Sequence, residues 1–329
     1  MLKKIALPLA AVALLSLLAV APKPAPRDSF LPANNLKHRL GTAEAGGITE
    51  AQFNAVMDRM QALYGPVVAE HGATLQINRL WTDDTVNASA EQNGGTWVLN
   101  MYGGLARDKA ITQDGMALVA CHEMGHHLGG APKYGGTDWA ANEGEADYFA
   151  NSKCLHLFFG DSATANFTHP KSVSDDAALA KAACAKSYKS SKDRALCERS
   201  AAAGQSVTAL FTELGGDAPS HFDTTDPAVV AQTNDEHPAS QCRLDTYFQA
   251  SLCNKDYHIA MSNTDPAVGA CVLSQGYTSG MRPFCWYKPA ANELIGENPA
   301  VAAAMEKKAS AATSQTLASL KSSDVFSGL

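Results

Sequence analysis

Apolar residues recur at helical spacing through Phe53, Val56, Met57, Met60 and Leu63, which predicts an amphipathic helix. Thr49 with Gln52 has the form of a capping box at its start, and Gly65-Pro66 is expected to stop it. A short β-prone stretch around Leu75, Ile77 and Trp81 follows, and residues 96–102 form a second one, with Asn93-Gly94-Gly95 as turn material between them. Residues 114–128 carry Met116, Leu118, Val119 and Met124 at helical spacing and close on Gly129-Gly130. Further helical stretches are expected over 142–159, over 242–253, and over 181–207 as a hairpin turning near Ser190-Ser191. The pattern predicts an α+β fold, mainly helical, with a small sheet beside the 114–128 helix.

The first residues change the picture. Lys3 and Lys4 precede an apolar run from 5 to 21 that ends Ala19-Val20-Ala21, the form of a secretory signal peptide. Pro22 is a poor residue after such a cleavage site, so an uncleaved N-terminal membrane anchor is the alternative. The expected organisation is a signal over 1–21, a linker or pro-segment over 22–47, one main domain over 48–289, and an exposed or disordered Ala/Ser/Lys tail over 290–329. The chain is expected to be exported, to the periplasm or beyond the cell. With 329 residues, 46% of them hydrophobic, it can bury a large core. Its net charge of -7, without a Lys/Arg cluster, argues against nucleic acid and favours a protein or peptide partner.

The chemistry is concentrated in His122-Glu123-Met124-Gly125-His126. Residues four apart share one helix face, so two imidazoles at this spacing can meet one zinc ion. Glu123 is rotated about 100 degrees from His122, beside the metal, where a carboxylate can act as general base toward water. A catalytic zinc needs a third protein ligand. A third His six residues after His126 would be one source, but Pro132 stands there. The other source is a Glu on a second helix, and Asn142-Glu143-Gly144-Glu145-Ala146-Asp147 supplies it. Glu143 is the expected ligand, and Asp147, one turn later, is the expected acceptor for the free N–H of His122. Glu145 is the competing ligand, roughly 200 degrees round the helix from Glu143. His127 and Cys121 fall on other faces.

These stretches resemble the zinc peptidases that include HtpX, the CAAX prenyl proteases and BepA-like periplasmic proteins. That family joins H-E-x-x-H to E-x-E-A-D, carries an edge strand ending in Gly-Leu, and has a later His-Pro with an Arg six residues past the His. Here residues 97–102 followed by Gly104-Leu105, and His237-Pro238 with Arg243, keep those features. The resemblance implies that Trp97, Val98, Leu99 and Asn100 hold an extended peptide on a sheet edge. It also implies that His237 and Arg243 fold back to the metal cleft as donors to an oxyanion. A hydrolase of a non-peptide amide and a catalytically silent envelope module remain the alternative functions.

Eight cysteines in an exported chain imply disulfides, with buried free thiols as the alternative. If 242–253 is one helix, its ends lie about 16 Å apart and Cys242 cannot pair with Cys253. Those two are expected to reach Cys271 and Cys285, Cys184 to pair with Cys197, and Cys121 with Cys154.

Overall fold

A computed structural model of the protein describes residues 28–41, 46–135, 137–160, 174–215 and 218–294. The expected signal segment 1–21, and the tail from 295 onward, lie outside the described residues. Helix α1 (Glu50–Glu70) starts at a complete capping box: Thr49 accepts from the Gln52 backbone while the Gln52 side chain accepts from the Thr49 N–H. The expected stop at Gly65-Pro66 does not occur, and Pro66 lies inside the helix. A proline there costs about 3 kcal/mol of local helix stability. Burial of Tyr64 on one side and Val68 on the other holds the chain helical across it.

The sheet has the order β1 (Asp28–Ser29), β3 (Ala88–Asn93), β4 (Thr96–Tyr102), β2 (Thr74–Leu80). β2 runs parallel to β4, while β3 runs antiparallel to both β4 and β1. One sheet face packs on α1 and on α3 (Gln113–Leu128), through a core that includes Phe53, Met57, Leu99, Met101, Met116 and Val119. The α+β class, mainly helical with a small mixed sheet, is therefore as the pattern predicted. The strand over 97–102, however, is not an edge: β4 is paired on both sides. Between β4 and the two-residue edge strand β1 lies β3, whose Ala-Ser-Ala-Glu-Gln-Asn sequence lacks the β-branched and aromatic residues that mark strands.

Within the expected linker or pro-segment 22–47, residues 28–29 form β1, and Phe30 and Leu31 are fully buried in the main core. After α3 come the short helix α4 (Glu143–Phe149), a π-helical turn (Ala150–Cys154) and α5 (Leu155–Phe159). The expected hairpin is α6 (Ser174–Ser187) and α7 (Ser191–Gly215), and α8 (Ser240–Leu252) packs on α7. A short helix, α2 (Gly103–Arg107), links β4 to α3, and α9 (Ala291–Leu294) ends the described chain.

Four disulfides join these parts: Cys121–Cys154, Cys184–Cys197, Cys242–Cys285 and Cys253–Cys271. Cross-links of this kind stabilise by about 2–4 kcal/mol each, mainly by restricting the unfolded chain. They indicate an oxidising, extracytoplasmic environment. No helix among the described residues is long and apolar enough to cross a membrane.

Candidate metal centre

Helices α3 and α4 meet at Gly125 and Ala146. A Cβ on Gly125 would lie 2.8 Å from the Ala146 Cα, so only glycine permits this approach. On the far side of α4, Gly144 leaves room for the Trp286 ring, which a Cβ would approach to 2.2 Å. The contact brings the Glu143 and Asp147 carboxylates of α4 onto the histidine face of α3. Asn142 caps α4, its side chain accepting from the Glu145 N–H.

The rings of His122 and His126 stand edge to face, 4.8 Å apart. His122 Nε2 is 3.2 Å from Glu143 Oε2, and His126 Nε2 is 3.8 Å from Glu143 Oε1. One ligand atom from each of the three lies within 4.8 Å of the others, and all three residues are buried. The opposite ring nitrogens are held in place: His122 Nδ1 is 2.7 Å from Asp147 Oδ1, and His126 Nδ1 is 2.8 Å from the Ala141 carbonyl. Both rings therefore present Nε2 to Glu143. His122 Nε2, His126 Nε2 and Glu143 Oε2 make no hydrogen bond among the described residues. Buried polar atoms are costly to leave unpaired, and two imidazole nitrogens with a carboxylate oxygen form the donor set of a divalent transition ion. The residues fit such a metal.

Electrostatics supports the same reading. Burial pushes His126 down to about 4, so it stays neutral and can offer a lone pair. Burial also acts downward on His122, but the Asp147 and Glu143 carboxylates outweigh it and hold the ring up at about 9. Glu143 is held below the usual carboxylate range in spite of burial, through His126 and His122. The cluster thus has a strong demand for positive charge, which a metal cation meets in place of a proton.

Asp147 is itself fixed by three donors. Arg243 binds it through Nε and Nη2, both at 2.7 Å, and the Tyr247 hydroxyl donates to it at 2.7 Å. The Arg243 guanidinium also lies over the rings of Phe30 and Phe211. It was expected to face an oxyanion, but its contacts are with Asp147 and, through Nη1 at 2.9 Å, with the Phe30 carbonyl. His237 Nε2 lies 3.4 Å from Glu143 Oε2 and 2.7 Å from the Ser29 carbonyl. Its loop is fastened by Asp235, which accepts from the Asn142 side chain and the Gly135 N–H, and by a bond from the Asn234 N–H to the Trp286 carbonyl. Glu123 is fully buried on α3 between the two histidines.

The competing ligand Glu145 points away from the triad and pairs with Arg282 at 2.5 and 2.7 Å. The four residues expected to hold peptide are placed elsewhere. Trp97 stacks on His127 at 4.9 Å, and Val98 and Leu99 are buried. Asn100 bridges Asn78, Ser89 and Glu91 across the sheet. With β3 between β4 and the sheet's edge, none of the four can pair with an added strand. Sequence reasoning missed Phe30, whose ring stands edge-on to His122 at 5.0 Å; its apolar neighbour Leu31 in an otherwise polar segment was the available signal.

No protein family matches the chain, and neither a curated protein nor a solved structure matches it.

Proposed function

We propose that this chain is a zinc metalloendopeptidase of the class it resembles, the HtpX, CAAX prenyl protease and BepA-like peptidases. The observation that carries the reading is the buried convergence of His122 Nε2, His126 Nε2 and Glu143. His122, His126 and Glu143 would hold the zinc, which supplies Lewis acidity when bound.

The protein's own groups then have separate tasks. Glu123 takes a proton from the attacking water and returns it to the leaving amine. His237, whose Nε2 already donates to a backbone carbonyl beside Glu143, steadies the carbonyl oxygen of the bond under attack. Asp147 holds the His122 ring, and Arg243 holds Asp147. The side of β3 that β1 occupies is where an extended backbone can be received by strand addition. A protein or peptide substrate met outside the cytoplasm accords with the four disulfides.

The test compares zinc content and casein cleavage for wild type and Glu123→Ala. The expected result is about one zinc in each, with cleavage by wild type alone. Absence of zinc from wild type would overturn the site. Zinc in both with no cleavage of any unfolded protein would favour a silent module.

A further inference from the structure

A peptide cleaved at this centre has three requirements: it must pair with the sheet edge beside α3, bring one carbonyl to the donors around Glu143, and seat the next side chain. Residues Asp28–Leu31 of the chain itself meet all three. The segment runs antiparallel along β3, with Asp28 opposite Ala90 and Ser29 opposite Ser89. The Phe30 N–H then donates to the Ala88 carbonyl at 3.0 Å.

From Ser29 onward, side chains of the site take over from the sheet. The Ser29 carbonyl accepts from His237 Nε2 at 2.7 Å, and that nitrogen is 3.4 Å from Glu143 Oε2. The Phe30 carbonyl accepts from Arg243 at 2.9 Å. The Leu31 N–H donates to Asn87 Oδ1 at 2.9 Å, and Asn87 Nδ2 donates back to the Leu31 carbonyl at 3.2 Å. The Phe30 ring is fully buried, edge-on to the His122 ring at 5.0 Å, 5.7 Å from Phe211, with the Arg243 guanidinium 4.7 Å from its centroid. A segment merely passing over the surface would not have two successive carbonyls claimed by the residues that surround the metal ligands.

We infer that Asp28–Leu31 lies in the cleft as a substrate does, and that the Ser29–Phe30 peptide bond is the one presented for hydrolysis. This rests on the peptidase reading above. In the reaction, the oxygen of water bonds to the Ser29 carbonyl carbon and the bond from that carbon to the Phe30 nitrogen breaks. Glu123 carries the water proton to that nitrogen, which leaves a Ser29 carboxylate and a new amino terminus at Phe30. The seat formed by His122, Phe211 and Arg243 accordingly selects an aromatic or large aliphatic side chain directly after the cleaved bond. Until it is cut, the strand keeps other peptides off the β3 edge.

The test reads the amino terminus of wild type and Glu123→Ala, each produced as the full exported chain, by intact mass and terminal sequencing. Wild type is expected to begin at Phe30 and Glu123→Ala to retain Ser29. In Glu123→Ala, the Phe30 and Leu31 amides are expected to resist hydrogen exchange, a readout independent of turnover. Peptides with Phe or Leu after the cleaved bond should be cut about 10-fold or more faster than those with Gly or Asp. A wild type that cleaves casein yet keeps Ser29 would overturn self-processing while sparing the peptidase reading, and fast exchange at Phe30 would overturn the seating. A zinc-loaded wild type that cuts neither casein nor itself would overturn both.

Discussion

Helix α4 carries three buried acids, and its two sides treat them differently. On one side, Glu143 faces His122 and His126 with an oxygen that no hydrogen bond satisfies among the described residues, and is held below the usual carboxylate range in spite of burial, chiefly through His126. On the other side, Glu145 is clasped by Arg282, and burial pushes its carboxyl up although the guanidinium opposes this. Asp147 stands on the metal side but is saturated like Glu145, by Arg243, Tyr247 and His122. The difference teaches where chemistry can happen. A buried acid whose partners are complete holds the fold, whereas one with an unspent acceptor among imidazoles can bind a cation.

The sharpest way to break the comparison is through Glu123, the proposed base, which belongs to neither side. Glu123→Gln should lower cleavage of an unfolded protein by about 10²–10⁴-fold while zinc content, read by metal analysis, stays at wild-type level. A variant that keeps substantial activity would remove Glu123 from the mechanism. Next in size, Glu145→Gln should cost about 3–5 kcal/mol in urea unfolding, because it strands Arg282 as a buried unpaired charge, yet leave zinc binding unchanged. Replacing both partners, Glu145→Leu with Arg282→Leu, should recover much of that loss. Zinc loss in Glu145→Gln would mean that the two sides are not separate.

A third prediction concerns His156, an imidazole buried in α5 with Tyr188 and Tyr257 around it. Burial, with Lys153 adding to it, brings its pKa down to about 4, below the ordinary value near 6.5. As pH falls from 6.5 toward 4, the unfolded chain therefore takes up a proton before the folded one does. Stability contributed by the neutral ring is fully present above 6.5 and is lost over that window, by about 3 kcal/mol. His156→Phe should flatten the pH dependence of urea unfolding there by that amount, and an unchanged slope would assign the acid sensitivity to other groups. The smallest effect expected is on metal affinity: Asp147→Asn should weaken zinc binding by about 10–100-fold in a chelator competition, because the His122 ring loses its orienting carboxylate. Of the two stability-bearing acids, Asp147 alone should show this.

Much of the metal side was legible in the chain. His122 and His126 are one turn apart, and Glu143 and Asp147 repeat that spacing, so the phase of each pair follows from helix geometry once the helices form. The cysteine pairs were legible for a related reason: a helix of fixed rise excluded Cys242 with Cys253. Only folding chose between Cys271 and Cys285 as their partners. What misled was strand propensity. Residues 96–102 look like a strand and 88–93 do not, yet strand order depends on which neighbours cover each face, and that placed β3 outside β4. Pro66 misled in the same way, since burial of Tyr64 and Val68 overrode a local stop.

By itself, the sequence determined the spacing of the candidate ligands along two helices, the place of Glu123 between the two histidines, and the mainly helical α+β class, all of which depend on contacts a few residues apart. Tertiary structure decided which side of α4 meets the histidines, through the close approach that Gly125 allows at Ala146. It also decided that Arg243 serves Asp147, and that Phe30, some ninety residues from His122, packs against that ring. Such choices are made between surfaces distant in sequence, where packing and desolvation over the whole core outweigh any local preference.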